Sequence, residues 1–547
     1  MEKNKLQDSL LMGALASSFG IFLSKLLGLF YYSPLSALAG ESNMAYYSIA
    51  YTYYDLLLQI SSAGIPFAIA ALVAKYRAKK DYKTVLLVKN LGTSLVLVLS
   101  LVIGLVFILC ASPLAKQSLG FSAPEEDINH LKNLFYILTI AIILVPFLSA
   151  IRGYVQGLKR LDIYGASQVL EQFVRVLTII AGSYLIVKIF NFESVWAIYI
   201  AIAAAAFGAF IAMLFTKVFS QKDERHVYEL AEQQDFDAEK TKKEVAKEVL
   251  SIGIPYVIIS FLGTAGPLVN TTFFMDYMAK VNGPEIYESA KLASGILQAN
   301  IAKISNIPSV LALGFGSGMV PYLSESLESN DNSRLIKYIN QILDTVCIIL
   351  IPMIAVFVFF AKDIYFIMYG NSNLQLGASL FAVSNIQIFL GTIAPVFSTM
   401  MMSLKLRKEA IITLIISFIG KLVSFFPFVK HFGTLGMIYS SGIYYLMQIL
   451  IYFYYLRINF DINVKGASKR FVLITICSII MVLPCYFIHS LIPFEYTSRI
   501  IDILIMAVLG IIMLVIYYLV TKKTGLLSKI FELDDVSIKS VLKKYRS

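Results

Sequence analysis

Apolar residues run along this chain in stretches of about twenty, separated by short polar breaks, from one end to the other. A helix rises about 1.5 Å per residue, so about twenty such residues cross the roughly 30 Å hydrocarbon core of a bilayer. Fourteen stretches are predicted as helices: roughly 10–33, 45–74, 91–113, 133–155, 165–187, 195–217, 249–274, 291–322, 338–361, 376–402, 410–429, 433–456, 471–491 and 499–521. The stretches at 45–74 and 291–322 are longer, and each contains an Ile-Pro step, Ile65-Pro66 and Ile307-Pro308. Proline removes a backbone hydrogen bond, so a kink is expected at each. The pattern predicts an all-α membrane protein.

Composition supports that class. The chain has 547 residues, 58% of them hydrophobic and 15% charged, against roughly 25% charged in a soluble domain. The net charge of +11 would suggest nucleic acid in a soluble protein. Here the basic residues fall in short loops, so topology explains them and no nucleic-acid partner is expected. With the N-terminus placed in the cytoplasm and the helices alternating, 34 of the 46 lysines and arginines lie inside, seven outside and five within helices. That bias predicts cytoplasmic N- and C-termini in a bacterial cytoplasmic membrane, with membrane lipids as surface partners. The stretch before Ala37-Leu38-Ala39 is too long for a cleaved signal and is interrupted by Lys25, so it reads as a retained helix. The four cysteines lie in apolar stretches without a CxxC, and the four histidines are scattered. Free buried thiols and no metal site are expected.

The one long hydrophilic stretch, 218–248, carries both signs of charge and reads as a solvated linker with room for a short amphipathic helix. It suggests five segments: a six-helix lobe over 1–217, a cytoplasmic linker over 218–248, a second lobe over 249–456, two further helices over 457–521 and a cytoplasmic tail over 522–547. The lobes look like parallel repeats. Gly64-Ile65-Pro66-Phe67-Ala68 pairs with Asn306-Ile307-Pro308-Ser309-Val310, and Val145-Pro146-Phe147-Leu148-Ser149 pairs with Ala394-Pro395-Val396-Phe397-Ser398. Such halves belong to transporters.

A charge at mid-bilayer costs about 2.5–3.5 kcal/mol or more and therefore faces a cavity or a partner. Lys25 lies deep in the first predicted helix, where it lines a cavity or pairs with an acid such as Asp55. Lys303 lies mid-run in the eighth, close to Asn306 and Pro308. Glu171 and Arg175 are four apart in the fifth and can pair with each other. Lys421 occupies the comparable helix of the second half. Asp55 and Gln59 share a face of the second helix and can meet Lys25 or hold a coupling cation. Lys291 and Asp344 read as interfacial, and Asn270, Asn300, Asn385 and Gln387 as inter-helix hydrogen bonders. Tyrosines crowd the first hairpin, as an interfacial belt or a cavity lining. The excess of cations predicts an anionic substrate, lysine presenting a point charge suited to phosphate. No Walker-type loop and no carboxylate or His-acid cluster suggests an enzyme, so a transporter without a bound cofactor is expected.

Several of these residues carry a resemblance. Ser24-Lys25-Leu26-Leu27-Gly28, the run Tyr53-Tyr54-Asp55-Leu56-Leu57-Leu58-Gln59 through Gly64-Ile65-Pro66, Lys303 through Pro308 with Val320-Pro321-Tyr322, and Glu171-Gln172-Phe173-Val174-Arg175 resemble motifs of the superfamily that joins multidrug extruders, polysaccharide flippases and MurJ/YtgP-type lipid II flippases. The resemblance implies a MATE-like pair of six-helix lobes in a V, plus two C-terminal helices beside a groove for a lipid tail. It implies a cationic cavity for a pyrophosphate and sugars, and alternating access driven by membrane potential or a monovalent ion. The substrate it implies is lipid II or a related polyprenyl-pyrophosphate glycolipid, with cell-wall synthesis proteins as candidate partners. Lys25, Lys303, Arg175, Lys421, Glu171, Asp55, Gln59 and Tyr31 are the implied contacts. Tyr31 stands where Gram-negative members carry a second arginine, and Ala63 and Ala302 stand where they carry acids. Two alternatives stay open: a flippase for another polyprenyl-linked glycan, or a cation-coupled drug exporter using Asp55. A membrane-embedded transferase is disfavoured by the missing acid cluster.

Overall fold

The computed structural model describes residues 31–62, 64–121, 123–309, 331–460, 464–491 and 498–531, with Gly28, Leu323, Ser326 and Leu327. Twelve helices among the described residues are long and apolar enough to cross a bilayer, and each overlays one of the fourteen predicted stretches. The other two stretches, 10–33 and 291–322, fall largely or partly outside the described residues. Contacts group the chain into two compact units, residues 1–300 and 301–547.

The first unit contains α1 (Tyr32–Ala39), α2 (Met44–Ser62), α3 (Ile65–Ala78), α4 (Tyr82–Leu119), α5 (Glu125–Gly157), α6 (Leu161–Leu177), α7 (Trp196–Glu232), α8 (Lys242–Asn282) and α9 (Tyr287–Gly295). The kink expected at Ile65-Pro66 is a break. Helix α2 ends at Ser62, and Pro66 falls in the first turn of α3, where its missing N–H costs nothing. Gly64 at the break is a point of close approach. A Cβ there would sit 2.1 Å from the carbonyl oxygen of Gly253 in α8. Helix α6 runs on through two π turns, Thr178–Gly182 and Leu185–Ile189.

Charge at the predicted cytoplasmic end explains why the hydrophilic stretch is not a free tether. Helix α7 extends to Glu232 and α8 begins at Lys242, where Thr241 and Glu244 form a capping box. The acids of this stretch meet the basic turns. Lys79 bonds Glu239 at 2.7 Å, Lys75 reaches Glu248 at 3.4 Å, Lys89 pairs with Glu224, and Arg160 pairs with Asp223. Asp81, buried at the N-cap of α4, accepts from Thr84 N at 3.0 Å, Gln234 Nε2 at 3.0 Å and Glu239 N at 2.9 Å. An apolar cluster that includes Leu72, Val73, Val88, Val245 and Val249 closes over the inner side of the same contact.

The second unit contains α10 (Asn332–Phe359), α11 (Ala361–Tyr369), α12 (Leu374–Ser403), α13 (Arg407–Phe432), α14 (Thr434–Phe460), α15 (Val464–Ser490), α16 (Arg499–Lys523) and α17 (Leu526–Phe531). A π turn spans Ile296–Ile301, and residues 302–309 continue as helix with Pro308 inside it. One apolar cluster joins α10, α12 and α14 through Ile339, Val346, Phe397, Met400 and Tyr452. Another joins Phe360 to α15 and α16 through Met481, Cys485, Leu509 and Met513. All four cysteines are unpaired. Helix α16 turns Ile500, Leu504, Ile511 and Leu514 outward, as a surface solvated by lipid does.

Asp81 gives the clearest test of the docked turn. Burial pushes its carboxyl pKa up, but the hydrogen bonds from Thr84, Glu239 and Gln234 outweigh burial and hold it below its ordinary value. A depressed folded-state pKa means that the stabilisation is complete above the unfolded pKa and is lost as pH falls through the folded one. Limited proteolysis within 233–241 is therefore expected to accelerate below about pH 4. Asp81→Ala should bring the same acceleration at neutral pH, at a cost of about 2 kcal/mol.

Candidate anion site in the first unit

Four helices of the first unit bring basic and tyrosine side chains together. Arg175 comes from the last turn of α6 and is only 8% exposed. Its Nη2 donates to the Tyr51 hydroxyl at 3.0 Å, and its guanidinium lies over the Tyr51 ring at 5.3 Å. Tyr51 belongs to a chain of rings on α2 and at the start of α1. Tyr47 stacks on Tyr51 at 5.3 Å, and Tyr54 meets it edge-on at 5.5 Å. Tyr32 meets Tyr47 at 5.5 Å, and the Tyr31 and Tyr47 hydroxyls are 2.9 Å apart. Tyr31, Tyr32, Tyr47 and Tyr54 are buried, so these rings line the protein interior and are not an interfacial belt.

Glu171 does not pair with Arg175. The spacing permits it, but Arg152 from the last turns of α5 takes the carboxylate at 2.6 Å and binds Ser167 Oγ through Nε and Nη2 at 3.0 and 2.9 Å. Arg152 is 7% exposed. A buried guanidinium needs a carboxylate more than a solvated one does, and Glu171 together with Ser167 satisfies its fork. Arg152 reads from sequence as one of the loop cations that set topology, and its burial was not visible there. Arg175 consequently has no carboxylate within ion-pair distance among the described residues, and its buried Nε has no hydrogen-bond partner. Gly208 of α7 makes room for the arrangement, since a Cβ there would lie 2.8 Å from the Glu171 carbonyl oxygen and 3.3 Å from Arg175 Cβ.

The other sequence candidates fall as follows. Lys25 lies outside the described residues, as do Val320, Pro321 and Tyr322. Gly28, from the same motif as Lys25, faces Gln172, whose Nε2 would be 3.0 Å from a Cβ. Asp55 is exposed and stands one turn from the half-buried Gln59 on α2. Lys303 is half-buried in the helical segment 302–309 of the second unit. Lys421, also in the second unit, is fully buried, and its ammonium donates to Ser440 at 2.8 Å and Ser441 at 2.9 Å.

Two lesser expectations are corrected, those for Lys291 and Asn385. Lys291 is not interfacial. It is 5% exposed and bonds Asp127 at 2.7 Å and the Tyr46 hydroxyl at 2.8 Å, with Tyr287 donating to the same carboxylate at 2.6 Å. Asp344, half-buried, pairs with Arg470 near the start of α15. Asn385 donates to Phe381 and Ala382 within its own helix. In each case the neighbour is distant in sequence or is the residue's own backbone, and neither leaves a local signal.

A buried guanidinium beside phenols, with no carboxylate partner among the described residues, is a candidate site for an oxyanion. The tyrosines can donate beside it, and the desolvated cation favours phosphate or carboxylate over a neutral ligand.

Comparison with known proteins agrees with this class. The model of the polysaccharide biosynthesis protein family matches residues 10–327. The chain is 29% identical over 482 residues to the lipid II flippase MurJ of Bacillus subtilis strain 168, covering 87% of this chain and 88% of the relative. It is 24% identical over 387 residues to stage V sporulation protein B of the same organism, covering 69% of each. The inward closed structure of a lipid II flippase MurJ superposes with a TM-score of 0.65 at 16% identity, over 93% of this chain and 99% of that one. An inward-facing MATE-family multidrug transporter does so with a TM-score of 0.59 at 15% identity, over 82% and 95%. The fold is thus the MurJ/MATE-like one expected from sequence. With the family model matched over more than half its length, and with twelve helices among the described residues long and apolar enough to cross a bilayer, this multi-pass membrane chain belongs to the polysaccharide biosynthesis protein family of transporters.

Proposed function

We propose that this protein is a flippase that moves a polyprenyl-pyrophosphate glycolipid, lipid II, from the inner to the outer leaflet by alternating access. The observation that carries the proposal is Arg175, a buried guanidinium with an unspent donor and no carboxylate among the described residues. The similarity to the Bacillus lipid II flippase supports the choice of lipid. Arg175 is the cation assigned to the anionic headgroup, with Tyr31 and Tyr51 beside it. Lys25, and Lys303 and Lys421 of the second unit, are further candidates from the sequence. Binding must be nearly equal in the two access states, because a ligand that strongly prefers one state holds the protein there. Membrane potential or a monovalent ion supplies the drive, and cell-wall synthesis proteins are candidate partners.

Expression in cells depleted of their own lipid II flippase should restore lipid II to the outer leaflet, measured by its accessibility to an externally added enzyme. Arg175→Ala, Lys25→Ala and Lys303→Ala should each lower that restoration at unchanged protein levels. Full restoration by all three would remove the cationic assignment, and no restoration by well-inserted wild-type protein would remove lipid II. The exposed Asp55 carboxylate and the likeness to multidrug transporters favour a second reading, export of organic cations. Raised resistance to cationic dyes that is lost in Asp55→Asn would select it.

Glu171 should behave differently from Arg175. Glu171→Gln leaves Arg152 buried without its counter-charge and is expected to cost about 3 kcal/mol of stability, read as a lowered thermal transition in detergent. Arg175→Gln loses no ion pair among the described residues and should leave that transition within about 1 kcal/mol of wild type while lowering transport. Finally, the charge bias predicts that a reporter fused after Ser547 is active only on the cytoplasmic side.

A further inference from the structure

A second constellation lies in the first unit, on the face that the charge distribution assigns to the outside. Glu126 and His130 stand one turn apart at the start of α5, and Glu193 lies in the turn before α7. The ligand atoms of these three residues all lie within 4.8 Å of one another. His130 Nε2 is 3.8 Å from Glu126 Oε1. A cavity of about 550 Å³ opens here, lined in part by Asn129, Asn133, Trp196 and Tyr199.

Exposed glutamates alone would mean little. The imidazole is what changes the reading, because Tyr199 engages its Nδ1 side and leaves Nε2 on the side of Glu126. The Tyr199 hydroxyl lies 3.3 Å from the His130 carbonyl oxygen, to which it donates, and 3.0 Å from His130 Nδ1. With the phenol proton directed to the carbonyl, the phenol oxygen can accept from Nδ1–H, the tautomer that a cation at Nε2 selects. In that tautomer the lone pair is on Nε2, the nitrogen 3.8 Å from Glu126 Oε1. A histidine whose far nitrogen is tied to an outer hydrogen-bond partner, with its free lone pair beside two carboxylates, is the arrangement of a metal ligand. Glu193 is held in place as well. Trp196 N donates to its carbonyl at 3.0 Å, and Asn43 Nδ2 donates to Ser194 Oγ at 3.1 Å.

We infer that Glu126, His130 and Glu193 form a binding site for a borderline divalent transition-metal ion such as Zn²⁺. One imidazole nitrogen and two carboxylate oxygens match the three-ligand sets such ions take, with the cavity leaving a fourth position to water. The two carboxylates balance the double charge. Ca²⁺ and Mg²⁺ are disfavoured, since they want six or more oxygens or a largely retained water shell. Tetrahedral ligands at about 2.0–2.1 Å from an ion stand about 3.3–3.4 Å apart, so the exposed glutamate side chains would have to rotate inward to close the set. The site is independent of the transport reading.

Trp196 is the only tryptophan in the chain and its ring centroid is 4.9 Å from that of Tyr199, so its fluorescence reports on this cavity. The full-length protein, purified without a histidine tag and placed in nanodiscs, should show saturable quenching by Co²⁺ at one ion per chain. Zn²⁺ should reverse the quenching and Mg²⁺ at the same concentration should not. His130→Gln and Glu193→Gln should abolish it, and Tyr199→Phe should weaken affinity about tenfold by releasing the imidazole. Quenching in wild-type protein that never saturates, or that Mg²⁺ competes equally, would overturn the site. So would quenching unchanged in His130→Gln and Glu193→Gln variants that keep the wild-type thermal transition.

Discussion

Glu171 can neutralise one arginine, and it neutralises Arg152. Both arginines are within reach of its helix, one in the same helix four residues on and the other in the neighbouring helix α5. Arg152 approaches with its guanidinium plane set to engage Glu171 and Ser167 together. Charge-assisted bonding to two acceptors outweighs a single contact along a helix face. The consequence is that Arg175 lies buried beside the tyrosine chain of α2 with no carboxylate partner among the described residues. The candidate anion site of the unit follows from that one allocation.

The same logic of allocation runs through the rest of the first unit. Lys291 is matched by Asp127, with Tyr46 and Tyr287 completing the set. The basic turns around α3, α4 and α6 are matched by acids at the end of α7 and the start of α8, with Asp81 accepting three hydrogen bonds at the centre. Interior charges without a partner are costly in a low-dielectric medium. Against that background Arg175 stands out among the described residues, because its local acid has been claimed by another helix.

Backbone breaks shape the unit as much as charge does. Gly64 and Pro66 interrupt a helix that would otherwise run from Met44 to Ala78, and the gap admits the backbone of α8 at Gly253. Gly153 lies under the same break, where a Cβ would stand 2.4 Å from the Pro66 carbonyl oxygen. Small residues permit the close helix approach that membrane interiors use in place of a hydrophobic driving force. The Ile-Pro step was legible as a disturbance. That it is a full break with another helix packed into it was not, since the partner glycine is almost two hundred residues away.

Hydrophobic run length by itself determined the class of this protein, the positions of the twelve described spans and the helical state of nearly every residue in them, because hydrocarbon leaves a chain no other way to satisfy its backbone. Loop charge determined an expected orientation, and the motifs around Pro66 and Arg175 pointed to a transporter superfamily. Tertiary structure decided which charge meets which. It moved Glu171 from Arg175 to Arg152, took Lys291 from the interface into a buried pair, tied the hydrophilic stretch that composition reads as a solvated linker to the basic turns beside it, and gathered Glu126, His130 and Glu193 from positions that look scattered. Those outcomes depend on pairings across tens to hundreds of residues. Run length and local spacing carry no information about such pairings, and only the packed helices select among the partners that electrostatics would allow.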